Sequence, residues 1–282
     1  MRLAGALLAC ALAAAAQPAR IVSTSPGITE MLFSLGLGRK VAGVTTFCHH
    51  PPEAQRIAKI GSYTQPNLEE ILALRPDLVI IQKNPIRLGE QLAALRLRVL
   101  ELDYDTVEGI YTSIRRIGDA AGAAAPAGTL TARIHAGLDD VRRRTGGLKR
   151  ARVMFVVGRT PGAIEALVVA GKGSYLDELM EIAGGENVFG DSSSAYPKIT
   201  VEELLARRPD VIIDMGDMSE TTGVTEAQKR AVVALWGRLG LLPAVARQRV
   251  YAVASDIFVV PGPRAVDAAR AFARMLHPEA GL

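Results

Sequence analysis

His49 and His50 stand side by side ahead of Pro51-Pro52, and their types suggest chemistry more directly than any others in the chain. A protein metal site needs ligands that converge on one point. Adjacent histidines tend to point apart, and no spaced cysteine or carboxylate accompanies this pair, so direct metal ligation is the weakest reading. His50 could instead hydrogen-bond a neighbour or contact a bound ligand. Asp214, Asp217 and Glu220, interleaved with Met215 and Met218, form an acidic group, but their spacing fits no calcium loop. They read as a polar loop after a strand. Gly171-Lys172-Gly173-Ser174 lacks the upstream glycine of a phosphate loop, and the chain holds no Gly-x-Ser-x-Gly elbow and no His-Glu-x-x-His. Nothing here pairs a nucleophile with a base. The chemistry expected is binding, with no catalysis and no metal held by the protein itself.

Two further carboxylates stand out by position. Asn67 to Asp77 (NLEEILALRPD) matches Thr200 to Asp210 (TVEELLARRPD) at a constant offset of 133 residues, and an apolar strand follows each copy. Asn67 and Thr200 are helix N-caps, and Glu70 and Glu203, three residues later, complete capping boxes. Leu68, Ile71 and Leu72, or Val201, Leu204 and Leu205, make the apolar face. Glu69 and Glu202 point away from it, one exposed carboxylate per copy. On helix physics alone they do no more than favour the dipole.

The elements that must position these residues alternate. Arg20 to Thr24 reads as a strand, and Ile28, Met31, Leu32 and Leu35 have helical spacing closed by Gly36 and Gly38. Val41 to Val44, Leu78 to Ile81 and Val99 to Leu102 are strands, the second apolar throughout as if buried on both faces. Val107, Ile110, Ile114 and Ile117 then mark a helix. From about Ala123 to Gly147 the spacing of Leu130, Ile134, Leu138 and Val141 predicts one long helix. Strand signals resume at Val153 to Val157, Leu167 to Ala170, Val211 to Ile213 and Val250 to Val253, and a last helix spans about Arg264 to Leu276. The expected fold is α/β: two parallel-sheet lobes, 20–121 and 150–282, built on one plan and joined by a connecting helix over 122–149. The ligand cleft lies between them.

Composition narrows the setting. Residues 1–16 read as a signal peptide: Arg2, a short uncharged run, then the small residues Ala14, Ala15 and Ala16 before Gln17. The run is too short to span a bilayer, and Cys10 comes early for a lipid-bearing start. With the leader removed Cys48 is the lone cysteine, so no intrachain disulfide can form although the destination is extracytoplasmic. A net charge of +4 over 282 residues is no nucleic-acid footprint. The basic stretch from Arg142 to Arg152 reads as the solvated face and end of a helix.

On these pieces the chain resembles a known family. Arg20 to Pro26 with Thr29-Glu30, Val41 to Val44, Pro51 to Ala54, Asn67 to Asp77, Gly184 to Phe189 and Tyr196-Pro197 together are similar to periplasmic substrate-binding proteins of ABC importers. The resemblance is to the cluster that carries cobalamin, ferric siderophores or haem, with lobes bridged by one long helix, and is closest to the cobalamin type. It implies that Glu69 and Glu202 dock onto arginines of the permease dimer that works with its ATPase subunits. It implies a ligand site on loops following strands: Phe47, His50 and Tyr63 on the first lobe, and Arg159, Tyr196, Asp256 and Phe258 on the second. His49 and His50 stand where cobalamin binders show Asp-Tyr, and Ile257 replaces an aromatic.

The aromatic loops favour a corrinoid, whose flat faces suit tyrosine and phenylalanine. The cleft loops lack the arginine cluster that an anionic siderophore would need. Haem stays open through His50 or Tyr63. An enzyme of the two-lobed metal-tetrapyrrole chelatase type is the rival from another class, opposed by the leader and the missing acid–base pair.

Overall fold

The computed structural model describes residues 17–83, 86–216 and 224–282. The expected leader, with Arg2, Cys10 and Ala14 to Ala16, lies outside the described residues, as do Asp217, Met218 and Glu220 of the expected polar loop.

In the first lobe β1 (Ile21–Ser23), β2 (Val41–Val44), β3 (Ala58–Lys59), β4 (Leu78–Gln82) and β5 (Val99–Leu102) form one sheet, ordered β3-β2-β1-β4-β5 and parallel throughout. Helices α1 (Pro26–Ser34), α2 (Leu68–Ala73), α3 (Leu88–Ala94) and α4 (Val107–Ala121) connect or follow the strands. Side chains alternate across a strand. Accordingly Leu78 and Ile80 enter one core cluster, while Val79 and Ile81 enter another on the opposite face. That two-sided burial is why β4 is apolar from Leu78 to Ile81. Cys48 is fully buried, its thiol between the hydroxyls of Thr29 and Thr45 at 3.2 and 3.1 Å.

α4 starts on the side chain of Thr106, which accepts from the Gly109 N–H, and ends at Gly122, whose φ of 73° suits a residue without Cβ. The connecting helix α5 (Ala124–Thr145) has 22 residues and is shorter than the 122–149 span expected. Gly146-Gly147 ends it. Ala127, Leu130, Ile134, Leu138 and Val141 are buried along one stripe, which packs on α4.

The second lobe contains β6 (Ala151–Gly158), β7 (Leu167–Val169), β8 (Gly185–Asn187), β9 (Lys198–Ile199), β10 (Val211–Asp214) and β11 (Val250–Ala252). Its helices are α6 (Tyr175–Ile182), α7 (Val201–Arg207), α8 (Glu226–Trp236), α9 (Pro243–Ala246) and α10 (Ala265–Leu276). The order is β11-β10-β6-β7-β9, with β8 also on β6. β6, β8, β10 and β11 pair in parallel, but β7 runs antiparallel to both β6 and β9. The connection over 159–166 is too short for a crossover, so the chain turns straight back. The sheet is therefore parallel, as expected, except at β7.

The sequence repeat is a structural repeat. α2 leads to β4 beside β1 as α7 leads to β10 beside β6. Arg75 and Arg208, at matching positions, both adopt positive φ, 46° and 48°. Asp77 and Asp210 then donate their N–H to Arg20 and Arg152 carbonyls, which sets each register. One box differs from expectation. Thr200 and Glu203 form the full reciprocal capping box, whereas Asn67 only accepts, from Glu69 and Glu70 N–H. The Asn67 N–H is already donated to the Ile60 carbonyl at 2.8 Å, leaving nothing for Glu70 to cap.

The largest core cluster runs through both lobes, from Ile28 and Ile80 across Leu130 and Ile134 of α5 to Phe155 and Phe272. Each fully buried side chain of this kind contributes about 1.5–3 kcal/mol. Exposed ion pairs on α5, such as Arg143–Asp140, contribute at most about 1 kcal/mol. Apolar burial along α5 is what joins the lobes.

Candidate functional site

A cavity of about 470 Å³ opens between the lobes. Most of its walls come from chain that has just left a strand, as α/β sheets place ligands. On the first lobe, Phe47 and His49 follow β2, Tyr63 follows β3, and Tyr104-Asp105 follow β5. The second lobe contributes Tyr196 ahead of β9 and the 256–261 segment after β11.

A polar chain runs along the first wall. Tyr104, 1% exposed, donates to Gln82 Oε1 at 2.8 Å and also contacts the Ser25 hydroxyl. Burial pushes its phenol far up. Gln82 Nε2 donates to Asp105 Oδ1 at 2.9 Å. Burial, then the neighbouring Asp103, pushes the Asp105 carboxyl above its usual range, against the opposing pull of Gln82 and Lys83. Tyr63 donates to the Lys83 carbonyl at 3.3 Å, and burial and Asp105 raise its phenol. Across the gap Tyr196 keeps 47% of its surface accessible, yet the concave walls and Asp105 push its phenol up to about 12. Phe47, at 52% exposure, presents its ring without cover.

Beside the cavity the lobes meet. Arg264 from the head of α10 donates to both carboxylate oxygens of Glu30 on α1, one at 2.9 Å, and to Asp256 Oδ1 at 2.8 Å. Burial pushes the Glu30 carboxyl up while Arg264 draws it down. The backbone is equally close: a Cβ on Gly27 would sit 2.5 Å from the Pro261 carbonyl oxygen, so only glycine fits this crossing. Another contact comes from Glu178 on α6, whose carboxylate accepts the Val107 N–H at 2.7 Å.

Of the site residues expected from the sequence, Phe47, Tyr63, Tyr196 and Asp256 meet at this cavity. Three do not line it. His50 is exposed beside it, its imidazole lowered by desolvation and by Arg264, and His49 takes the place on the wall. Arg159 lies in the second lobe, 5% exposed at its side chain, donating to Asp214 Oδ2 at 2.8 Å. Asp214 also accepts the Trp236 indole N–H at 2.6 Å, so Arg159 completes a buried network and lines a different cavity. Phe258 is 3% exposed and stacks with Phe155 and Phe272 at 5.7 and 5.1 Å. Its short helical turn aims the ring at the core. Tyr104, Asp105 and Gln82 were missed, although the rule that found Tyr63, loops following strands, applies equally to β4 and β5. Glu69 and Glu202 are exposed in the first turns of α2 and α7. Among the described residues no group of three or more His, Cys, Asp or Glu is placed to hold a metal ion.

The sequence pattern of the family described as periplasmic binding protein matches residues 21–257. The vitamin B12-binding protein of Salmonella typhimurium is 30% identical over 253 residues, covering 89% of this chain and 87% of that one. The chain belongs to the periplasmic binding protein family. The uncharacterized ABC transporter substrate-binding lipoprotein YvrC of Bacillus subtilis is 27% identical over 271 residues, 93% of this chain and 81% of that one. Among solved structures, the periplasmic heme-binding protein RhuT from Roseiflexus sp. RS-1 superposes with a TM-score of 0.77 at 26% identity. That match covers 93% of this chain and 98% of RhuT.

Proposed function

We propose that the protein, exported by its leader, captures a corrinoid outside the cytoplasm and delivers it to the permease of an ABC importer, making and breaking no bonds itself. The observation that carries this reading is the set of rings facing one cavity from both lobes: Phe47, Tyr63 and Tyr104 on one side, Tyr196 on the other. Rings give a flat, largely apolar ligand broad contact at little entropic cost. A cavity of about 470 Å³ cannot enclose a whole corrinoid, so the ligand seats one part between the lobes and leaves the rest outside. The similarity to vitamin B12-binding proteins supports the same ligand. Glu69 and Glu202, one per lobe, are the contacts for permease arginines, a charge pairing that fixes orientation on a two-fold partner.

Haem is the second reading, favoured by His49 on the wall and by the likeness to a heme-binding protein. Side-by-side absorbance titrations with cyanocobalamin, haem and a ferric siderophore separate these. Saturation at one equivalent of cyanocobalamin, and at no other ligand, is expected. Saturation by haem or the siderophore with no response to cyanocobalamin would overturn the corrinoid reading.

A further inference from the structure

The polar part of the cleft is acidic. Asp105 and Asp256 line it from opposite lobes, and among its described lining residues there is no lysine or arginine. Two cations close by are already paired: Lys83 lies 3.6 Å from Asp103, and Arg264 is held by Glu30 and Asp256. Asp256 shares that one guanidinium with Glu30. Among the described residues, the neutral Gln82 amide on Oδ1 is the one side-chain hydrogen-bond partner of Asp105. Tyr63, Tyr104 and Tyr196 line the same cavity, and after burial the Asp105 charge adds to the rise of all three phenols.

We infer that Asp105 is the specificity-determining residue of the cleft, accepting N–H donors from an amide-bearing ligand and rejecting one that presents a carboxylate there. A carboxylate in a ring-walled cleft gains from a donor that replaces lost water, and a hydrogen bond to a charged group is worth about tenfold in affinity or more. A ligand carboxylate at the same point meets a like charge that Lys83, itself paired with Asp103, offsets only in part. This rests on the corrinoid reading, whose ligand carries side-chain amides, and extends it to which form of that ligand is taken. It also predicts discrimination against the propionates of haem.

The sign of the pH effect follows. Donors favour the charged form of Asp105, so a proton on it opposes binding, and affinity falls as pH drops through its raised titration range. Asp103, Lys83, the three tyrosines, His49 and Asp256 face the same region, so the contribution of Asp105 is read as a difference between wild type and Asp105→Asn. That substitution keeps the shape and an acceptor for Gln82, and unchanged melting temperature verifies folding.

The test titrates both proteins with cyanocobalamin and with its monocarboxylic derivatives, each having one side-chain amide hydrolysed. For wild type at neutral pH, at least one derivative is expected to bind about tenfold more weakly than the parent. In Asp105→Asn that deficit shrinks to about twofold or less, and the acid-side fall in cyanocobalamin affinity flattens. Equal binding of every derivative by wild type, or a deficit and slope that survive Asp105→Asn, would overturn the assignment while leaving the corrinoid reading intact. No binding of either form by wild type would contradict the corrinoid reading, and this inference with it.

Discussion

At the scale of single residues, the site depends on which rings face the cleft and which face the core. Tyr63 and Tyr196 stand on opposite walls, so Tyr63→Ala and Tyr196→Ala should each weaken ligand binding by about 1–3 kcal/mol, measured by titration, with little change in melting temperature. Arg159 should behave in the opposite way. Its guanidinium is the counter-charge of a carboxylate buried with Trp236, and removing one partner of such a pair costs about 3–5 kcal/mol. Arg159→Met should therefore lower stability in denaturant melts and leave the affinity of the folded protein unchanged; weakened binding at full stability would return Arg159 to the ligand site. Reading loops next to strands led to Phe47, Tyr63 and Tyr196, which line the cavity. It could not place Arg159, because its bond to Asp214 depends on the pairing of β6 with β10. Nor could it separate His49 from His50, since which of two neighbours faces a cleft depends on the local turn.

At the scale of elements, the periodicities carried most of the fold. The stripe Leu130, Ile134, Leu138 and Val141 is the buried face of α5, and the repeated NLEEILALRPD and TVEELLARRPD are α2 and α7 with their following strands. The antiparallel β7 escaped because Leu167 to Ala170 has the same apolar character whichever way its neighbour runs. The half-made cap of α2 escaped because the partner of Asn67 N–H is a carbonyl of another segment. That difference has a measurable consequence. Glu203→Ala removes a hydrogen bond to the Thr200 N–H at 2.8 Å and should lower stability by about 0.5–1 kcal/mol. Glu70→Ala removes no such bond and should cost less, about the value of a dipole contact alone. Equal losses in paired thermal melts would contradict the asymmetry.

At the scale of the whole molecule, the lobes are joined by α5 and clasped beside the cleft by Glu30, Asp256 and Arg264. Arg264→Met would strand the Glu30 carboxylate in the seam. The cost should be largest near neutral pH and shrink on acidification. Burial raises the Glu30 titration, so the folded variant regains stability once the carboxyl takes up its proton. Melting the variant and wild type from about pH 7 down to about pH 4 reads this directly. A gap between them that is constant or widens toward acid would contradict it. The outer surface is tested separately through Glu69 and Glu202. Glu69→Arg and Glu202→Arg should each keep ligand affinity and impair uptake, and together abolish it, since an attraction to arginine becomes a clash. Uptake surviving the double reversal at normal protein levels would leave the two glutamates with only a helix-end role. The central claim is that a corrinoid sits between the lobes against rings from both. A crystal structure of the protein grown with cyanocobalamin tests it most directly. The account predicts the ligand in the cleft, against Tyr63 and Phe47 on one side and Tyr196 on the other, with a side-chain amide toward Asp105. A ligand seated in the cavity beside Arg159, or on the outer surface with the cleft untouched, would contradict it.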